Sequence, residues 1–152
     1  MLRQYVVGAA ASICNIAIHA LVMVAVIRVT RIVDGLATSR PTLRLIAVMS
    51  ATVTVLMIAH LAEVLVWSLI YAATNTASEG ADLIYFAFVN YTTLGYGDIT
   101  PVERWHLLGP MTAMNGVLLF GWSTAVIFEV LRMTLRASGD EGEMREKRWW
   151  PE

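Results

Sequence analysis

Three stretches of this chain are too long and too apolar to sit comfortably inside a soluble domain of its size. Residues 5–27 carry no charged side chain, residues 45–73 carry one, Glu63, and residues 105–131 carry one, Glu129. A helix of about 20 apolar residues crosses a bilayer, so each run is long enough to span one. Composition agrees: 57% of the 152 residues are hydrophobic and 15% are charged, against roughly a quarter charged in soluble domains. The first run is longer than the apolar core of a leader, and no small-residue cleavage site follows it, so it reads as a retained span. Cys14 is the single cysteine, which excludes a disulfide framework and a cysteine metal cluster. A net charge of −1 gives no reason to expect a nucleic-acid partner.

The basic residues orient the spans. Arg28, Arg31, Arg40 and Arg44 fill the first connection against Asp34 alone, and Arg132, Arg136, Arg145, Lys147 and Arg148 follow the third run. Residues 74–104 hold only Arg104 against Glu79, Asp82, Asp98 and Glu103. Positive charge stays on the cytoplasmic side, so the first connection and the tail are expected inside, with the N-terminus and residues 74–104 outside. Arg28 and Arg31 have the spacing of a voltage-sensing helix, but two residues read better as topological anchors.

The expected organisation is all-α. A first transmembrane helix covers 1–29, a cytoplasmic connection 30–42, and a second, larger domain 43–136, followed by a short charged cytoplasmic tail, 137–152. Within 43–136 we expect an outer helix at 43–73, a short re-entrant helix at 82–92, an irregular strand at 93–97 and an inner helix at 101–136. Ser78 or Asp82 suits the cap of the short helix. Thr100, Pro101 and Glu103 read as N-cap, first helical residue and capping-box partner. Gly109-Pro110 then falls inside the inner helix and predicts a kink near the carbonyl of His106. Trp149 and Trp150 suit the headgroup layer.

The segment that carries chemistry is Thr92-Thr93-Leu94-Gly95-Tyr96-Gly97-Asp98. An ion that must shed its hydration shell needs closely spaced oxygen dipoles, which a run of backbone carbonyls aimed at one axis supplies. That aim requires backbone angles that a Cβ disfavours, hence Gly95 and Gly97. Thr93 can add a hydroxyl oxygen, while Leu94 and Tyr96 offer carbonyls. The short helix ends at Thr92, so the negative end of its dipole favours a cation beyond it. One strand gives one carbonyl per level, and a cage needs several, so four chains are expected around one axis. No nucleophile–base pair, metal-ligand spacing or phosphate loop accompanies the motif, so catalysis is not expected, nor a cofactor beyond a permeant ion.

The motif resembles the potassium-channel signature. Together with Gly116-Val117-Leu118-Leu119-Phe120-Gly121-Trp122-Ser123-Thr124-Ala125, it is similar to the pore of the small bacterial two-helix potassium channels over about residues 43–133, with one extra helix in front. The resemblance implies a homotetramer in the cell membrane among lipids, with K+ bound at Thr93, Leu94, Gly95 and Tyr96 in a filter of residues 93–97. Thr92, Asp98 and Tyr85 would support the filter. Val117, Phe120 and Thr124 would line the cavity, and Phe128 with Glu129 would be the candidate gate. Gly116 and Gly121 suit hinges or close-packing contacts equally. A less selective monovalent cation channel and a non-conducting accessory subunit are the alternatives. Two departures stand out: Leu94 replaces the commoner Val or Ile, and Tyr85-Phe86 stands where many members place Trp. His60 and Glu63, three apart on one helix face, are ionisable groups at membrane depth. A mutual hydrogen bond, or one to Asn15 or His19, would satisfy them.

Overall fold

The computed structural model describes the backbone of residues 1–34 and 40–149 and the side chains of 1–32 and 40–137. Residues 35–39 of the expected connection lie outside the described residues, as do the side chains of Asp34, Arg145, Lys147, Arg148, Trp149 and Trp150. Every regular element among the described residues is helical: α1 Leu2–Asp34, α2 Pro41–Thr74, α3 Leu83–Tyr91, a 3-10 turn Glu103–Trp105, and α4 Leu108–Trp149. Among the described residues, three helical stretches are long and apolar enough to cross a membrane: Leu2–Ile32, Pro41–Thr74 and Glu103–Ala137.

Two compact units divide these helices. The first combines Met1–Leu21 with Ile58–Trp122, and the second Val22–Met57 with the described residues from Ser123 onward. In the first unit, α1 turns Gln4, Gly8, Ala11, Asn15 and His19 inward, a spacing of three and four that marks one helical face. The apolar core there is built on Trp67, Tyr71, Phe86, Tyr91 and Leu108. In the second, Met23, Val26, Leu56, Val126 and Val130 pack together. Large apolar side chains elsewhere on the helices face outward, Leu21, Ile58 and Leu69 among them. That pattern suits lipid, where the outer surface is as apolar as the core.

The start of the inner helix departs from the sequence expectation. Thr100 does not cap a helix at Pro101. Val102 instead precedes the 3-10 turn without a side-chain cap bond, and its amide donates to the Thr76 carbonyl at 2.7 Å. The Leu107 amide donates to Gln4 Oε1 at 2.8 Å. A helix beginning at Pro101 would have bonded the Leu107 amide to the Glu103 carbonyl four residues back, and Gln4 takes that amide instead. Helix α4 therefore starts at Leu108, which puts Pro110 in the first turn rather than the interior. There its missing N–H leaves no bond unmade, so the predicted kink has no cause.

Candidate functional site

The short helix and the strand after it lie in the first unit. Asp82 caps α3, its Oδ1 accepting from the amides of Ile84 at 3.1 Å and Tyr85 at 3.0 Å. The carbonyl at the other end of α3 decides how the next residues run. Val89 accepts from the amides of both Leu94, at 2.9 Å, and Gly95, at 3.3 Å. Thr92 and Thr93 donate to Phe88 and Asn90. The N–H edge of the strand is thus turned onto the helix end.

Backbone handedness alternates along the same strand. Thr93 has φ 61°, Gly95 φ 61° and Gly97 φ 77°, while Leu94 and Tyr96 are not among the positive-φ residues. Alternating left- and right-handed residues turn successive peptide planes the same way. A backbone that alternates throughout in this way carries its N–H groups on one side and its C=O groups on the other. With the amides of 94 and 95 on Val89, the carbonyl edge faces away from the helix. All of residues 92–98 are exposed in the single chain.

Sequence reading accounts for the two glycines, because the left-handed region favours residues without a Cβ. It does not identify Thr93, a β-branched residue in the same region, where strain is normal only when surrounding bonds fix the backbone. The Thr93 amide bond to Asn90, at 3.0 Å, belongs to that restraint. Beyond the strand, the Tyr85 hydroxyl donates to Asp98 Oδ2 at 2.7 Å. The carboxylate at that bond pushes the Tyr85 phenol above its usual range.

Behind the strand lies a polar cluster on the buried side of α3. Glu63 is fully buried. His19 Nδ1 donates to its Oε1 at 2.7 Å and His60 Nδ1 to its Oε2 at 3.0 Å, and the Tyr91 hydroxyl donates to Oε2 as well. His60 Nδ1 also lies 2.9 Å from the Tyr91 oxygen. Asn15 donates to the Glu63 carbonyl and to Asn115 Oδ1, both at 3.2 Å, and Trp67 Nε1 reaches that Asn115 oxygen at 3.0 Å. A carboxylate deep in an apolar span is tolerable only with such partners, and bonds to a charged group contribute about 1.5–3 kcal/mol each. Tyr91 is the last residue of α3, directly before Thr92. The first helix therefore reaches the base of the strand through His19 and Glu63.

The remaining sequence candidates are more dispersed. In the first unit, Val117 is 56% exposed, while Phe120, 39% exposed, lies against the His60 and Tyr91 rings at 4.4 and 5.5 Å. Gly116 is buried against Tyr91, where an added Cβ would fall 2.1 Å from the carbonyl oxygen. Gly121 has nothing within 4 Å of the same position. In the second unit, Thr124 is exposed and Phe128 is 66% exposed. Glu129 pairs with Arg132 at 2.6 Å, three residues along the helix.

Residues 59–133 match a family model described as "Ion channel". The match covers just under half of the chain and takes in the end of α2, α3, the strand and the first part of α4. With three helices able to cross a membrane, it supports an ion channel in a membrane, and transport rather than catalysis. No curated protein and no solved structure matches the chain.

Proposed function

We propose that this chain is the subunit of a homotetrameric potassium channel, conducting K+ passively through a filter of Thr93, Leu94, Gly95, Tyr96 and Gly97. The observation that carries the reading is the alternation of positive φ at residues 93, 95 and 97, combined with the amides of 94 and 95 held on Val89. Such a strand presents a ladder of carbonyl oxygens on its free edge, the ligand that replaces a hydration shell. Irregular backbone at membrane depth must be covered by protein or line water. Four copies around one axis would do both and supply four oxygens per level. The cytoplasmic side is then that of the first connection and the tail, with the N-terminus outside. Partners are further copies of the chain, membrane lipids and K+, with neither nucleic acid nor a cofactor involved.

Purified chain in planar bilayers, with potassium facing sodium, tests this directly. A permeability preference of at least about tenfold for potassium is expected, which needs only about 1.4 kcal/mol of discrimination between the ions. A reversal potential near zero would favour the less selective cation channel. Absence of current without a partner chain would favour the accessory subunit.

The inner end of α4 supplies a second expectation. Four Phe128 rings converging on an axis would form a hydrophobic constriction that closes by excluding water, with the Glu129–Arg132 pairs within one turn of it. Phe128→Ala is expected to raise the current under conditions in which the parent stays closed. Equal closure by the two would place the gate elsewhere, in the filter first of all.

A further inference from the structure

His19, His60 and Glu63 offer donor atoms that all lie within 4.8 Å of one another, and they come from two helices, with His19 44 residues before Glu63. We propose that this cluster is a transition-metal site, taking Zn2+ on His19 Nδ1, His60 Nδ1 and the Glu63 carboxylate, with the Tyr91 oxygen beside the fourth position. The donor set is the first argument. Two imidazoles and one carboxylate form a recurrent three-ligand zinc set, with Zn–N and Zn–O near 2.0–2.2 Å. Imidazole selects zinc and its neighbours over magnesium and calcium, which demand oxygen ligands and retain water.

Geometry is the second. Donors around a four-coordinate zinc stand about 3.3 Å apart, from bond lengths near 2 Å at the tetrahedral angle. His19 Nδ1 and His60 Nδ1 already lie 2.7 and 3.0 Å from the two carboxylate oxygens. The Tyr91 oxygen lies 2.9 Å from His60 Nδ1. In the structure the cluster is held by protons: each Nδ1–H points at the carboxylate. Bound metal takes the place of those two hydrogens, and each neutral imidazole shifts its single proton from Nδ1 to Nε2. The exchange requires displacements of about an ångström at the two imidazoles and no change in backbone fold.

Burial is the third. Glu63 and His19 are fully buried, and the His60 side chain is 10% exposed. In such a dry setting a divalent ion offsets the carboxylate charge with little competition from water. Entry is from the His60 side, where the ring lies 4.4 Å from that of Phe120, itself 39% exposed. Bound metal would clamp α1 and α2 together beside Tyr91.

The test uses the full chain in detergent, stripped with a chelator and titrated with Co2+ and then Zn2+ alone. Cobalt should give the intense visible absorption of a four-coordinate ion, at one ion per chain, and zinc should displace it. His19→Asn and His60→Asn should each weaken zinc binding by at least about 100-fold, the upper end of what even a supporting residue contributes. His106→Asn, which removes the exposed histidine outside the cluster, should leave it unchanged. Only the faint spectrum of the six-coordinate aquo ion, or equal loss from His106→Asn, would overturn the proposal. The cobalt spectrum is read on the unaltered chain, so it decides the matter even if a variant fails to fold.

Discussion

Gly97→Ala and Gly95→Ala are each expected to abolish potassium selectivity or to stop conduction altogether. At both positions the obstacle is the backbone and not the space around it. A Cβ at Gly97 would meet nothing within 4 Å, and one at Gly95 only the Thr93 carbonyl oxygen, at 3.8 Å. Their φ angles of 77° and 61° are the cost, because an L-residue with a side chain loses roughly 1–2 kcal/mol in the left-handed region. In the proposed tetramer four subunits would incur that cost at the same level of one pore. Relief comes by rotating φ to negative values, which turns the neighbouring peptide plane and swings its carbonyl off the axis. One level of the oxygen ladder would then be lost in every chain of the proposed tetramer. Bi-ionic reversal potentials check this on reconstituted variants, beside gel filtration to establish that tetramers still form. Unchanged potassium preference in both variants would show that residues 95 and 97 do not form the ion pathway. Thr93 already bears the same penalty at φ 61°, which makes the strand less tolerant of a further strained residue.

The glycines of the strand were legible in sequence for that reason: only a residue without a Cβ occupies φ near +60° at low cost. Thr93 was not, because propensity argues against a β-branched residue there, and the bonds that hold it come from α3. The three long helices were legible too, since length and apolarity alone define a candidate span. Their starts and ends were less so. Thr100, Pro101 and Glu103 have every local mark of a helix start, yet the Thr76 carbonyl and the Gln4 side chain take amides of this segment. Local capping competes with tertiary bonds, and only the fold shows which wins.

The polar cluster divides in the same way. His60 and Glu63 are neighbours on a helix face, so their contact follows from spacing. His19 lies 44 residues from Glu63 and Tyr91 lies 28 away. Nothing in sequence spacing joins them. They meet because α1 presents Asn15 and His19 on its inward stripe, and because α3 ends with Tyr91 over the same carboxylate. The sequence resemblance begins only near residue 43 and leaves α1 outside the pore. In the structure α1 contributes a hydrogen-bonded partner to the group that holds the end of α3.

Gly116→Ala should disrupt the pore where Gly121→Ala does not, although both add one methyl to the same helix. At Gly116 the new Cβ would lie 2.1 Å from the Tyr91 carbonyl oxygen, 3.0 Å from its carbonyl carbon and 3.3 Å from its Cγ. The two closest are backbone atoms of a helix end, so no rotamer change clears the clash. Either α4 or the end of α3 must move by about 1.4 Å, since ordinary contacts begin near 3.5 Å between heavy atoms. Overpacking of this kind costs about 1–3 kcal/mol, sometimes more, in each copy of the chain. Displacement of Tyr91 passes directly to Thr92 and Thr93, and it also pulls on the Glu63 bond behind. At Gly121 the same methyl meets nothing within 4 Å, and alanine favours the helix by about 1 kcal/mol over glycine. Assembly by gel filtration and reversal potential by bilayer recording separate the two roles that glycine can have in an inner helix. A packing contact at Gly116 predicts that its alanine variant loses tetramers or selectivity. A hinge there predicts altered opening with potassium preference intact, and that result would overturn the packing role.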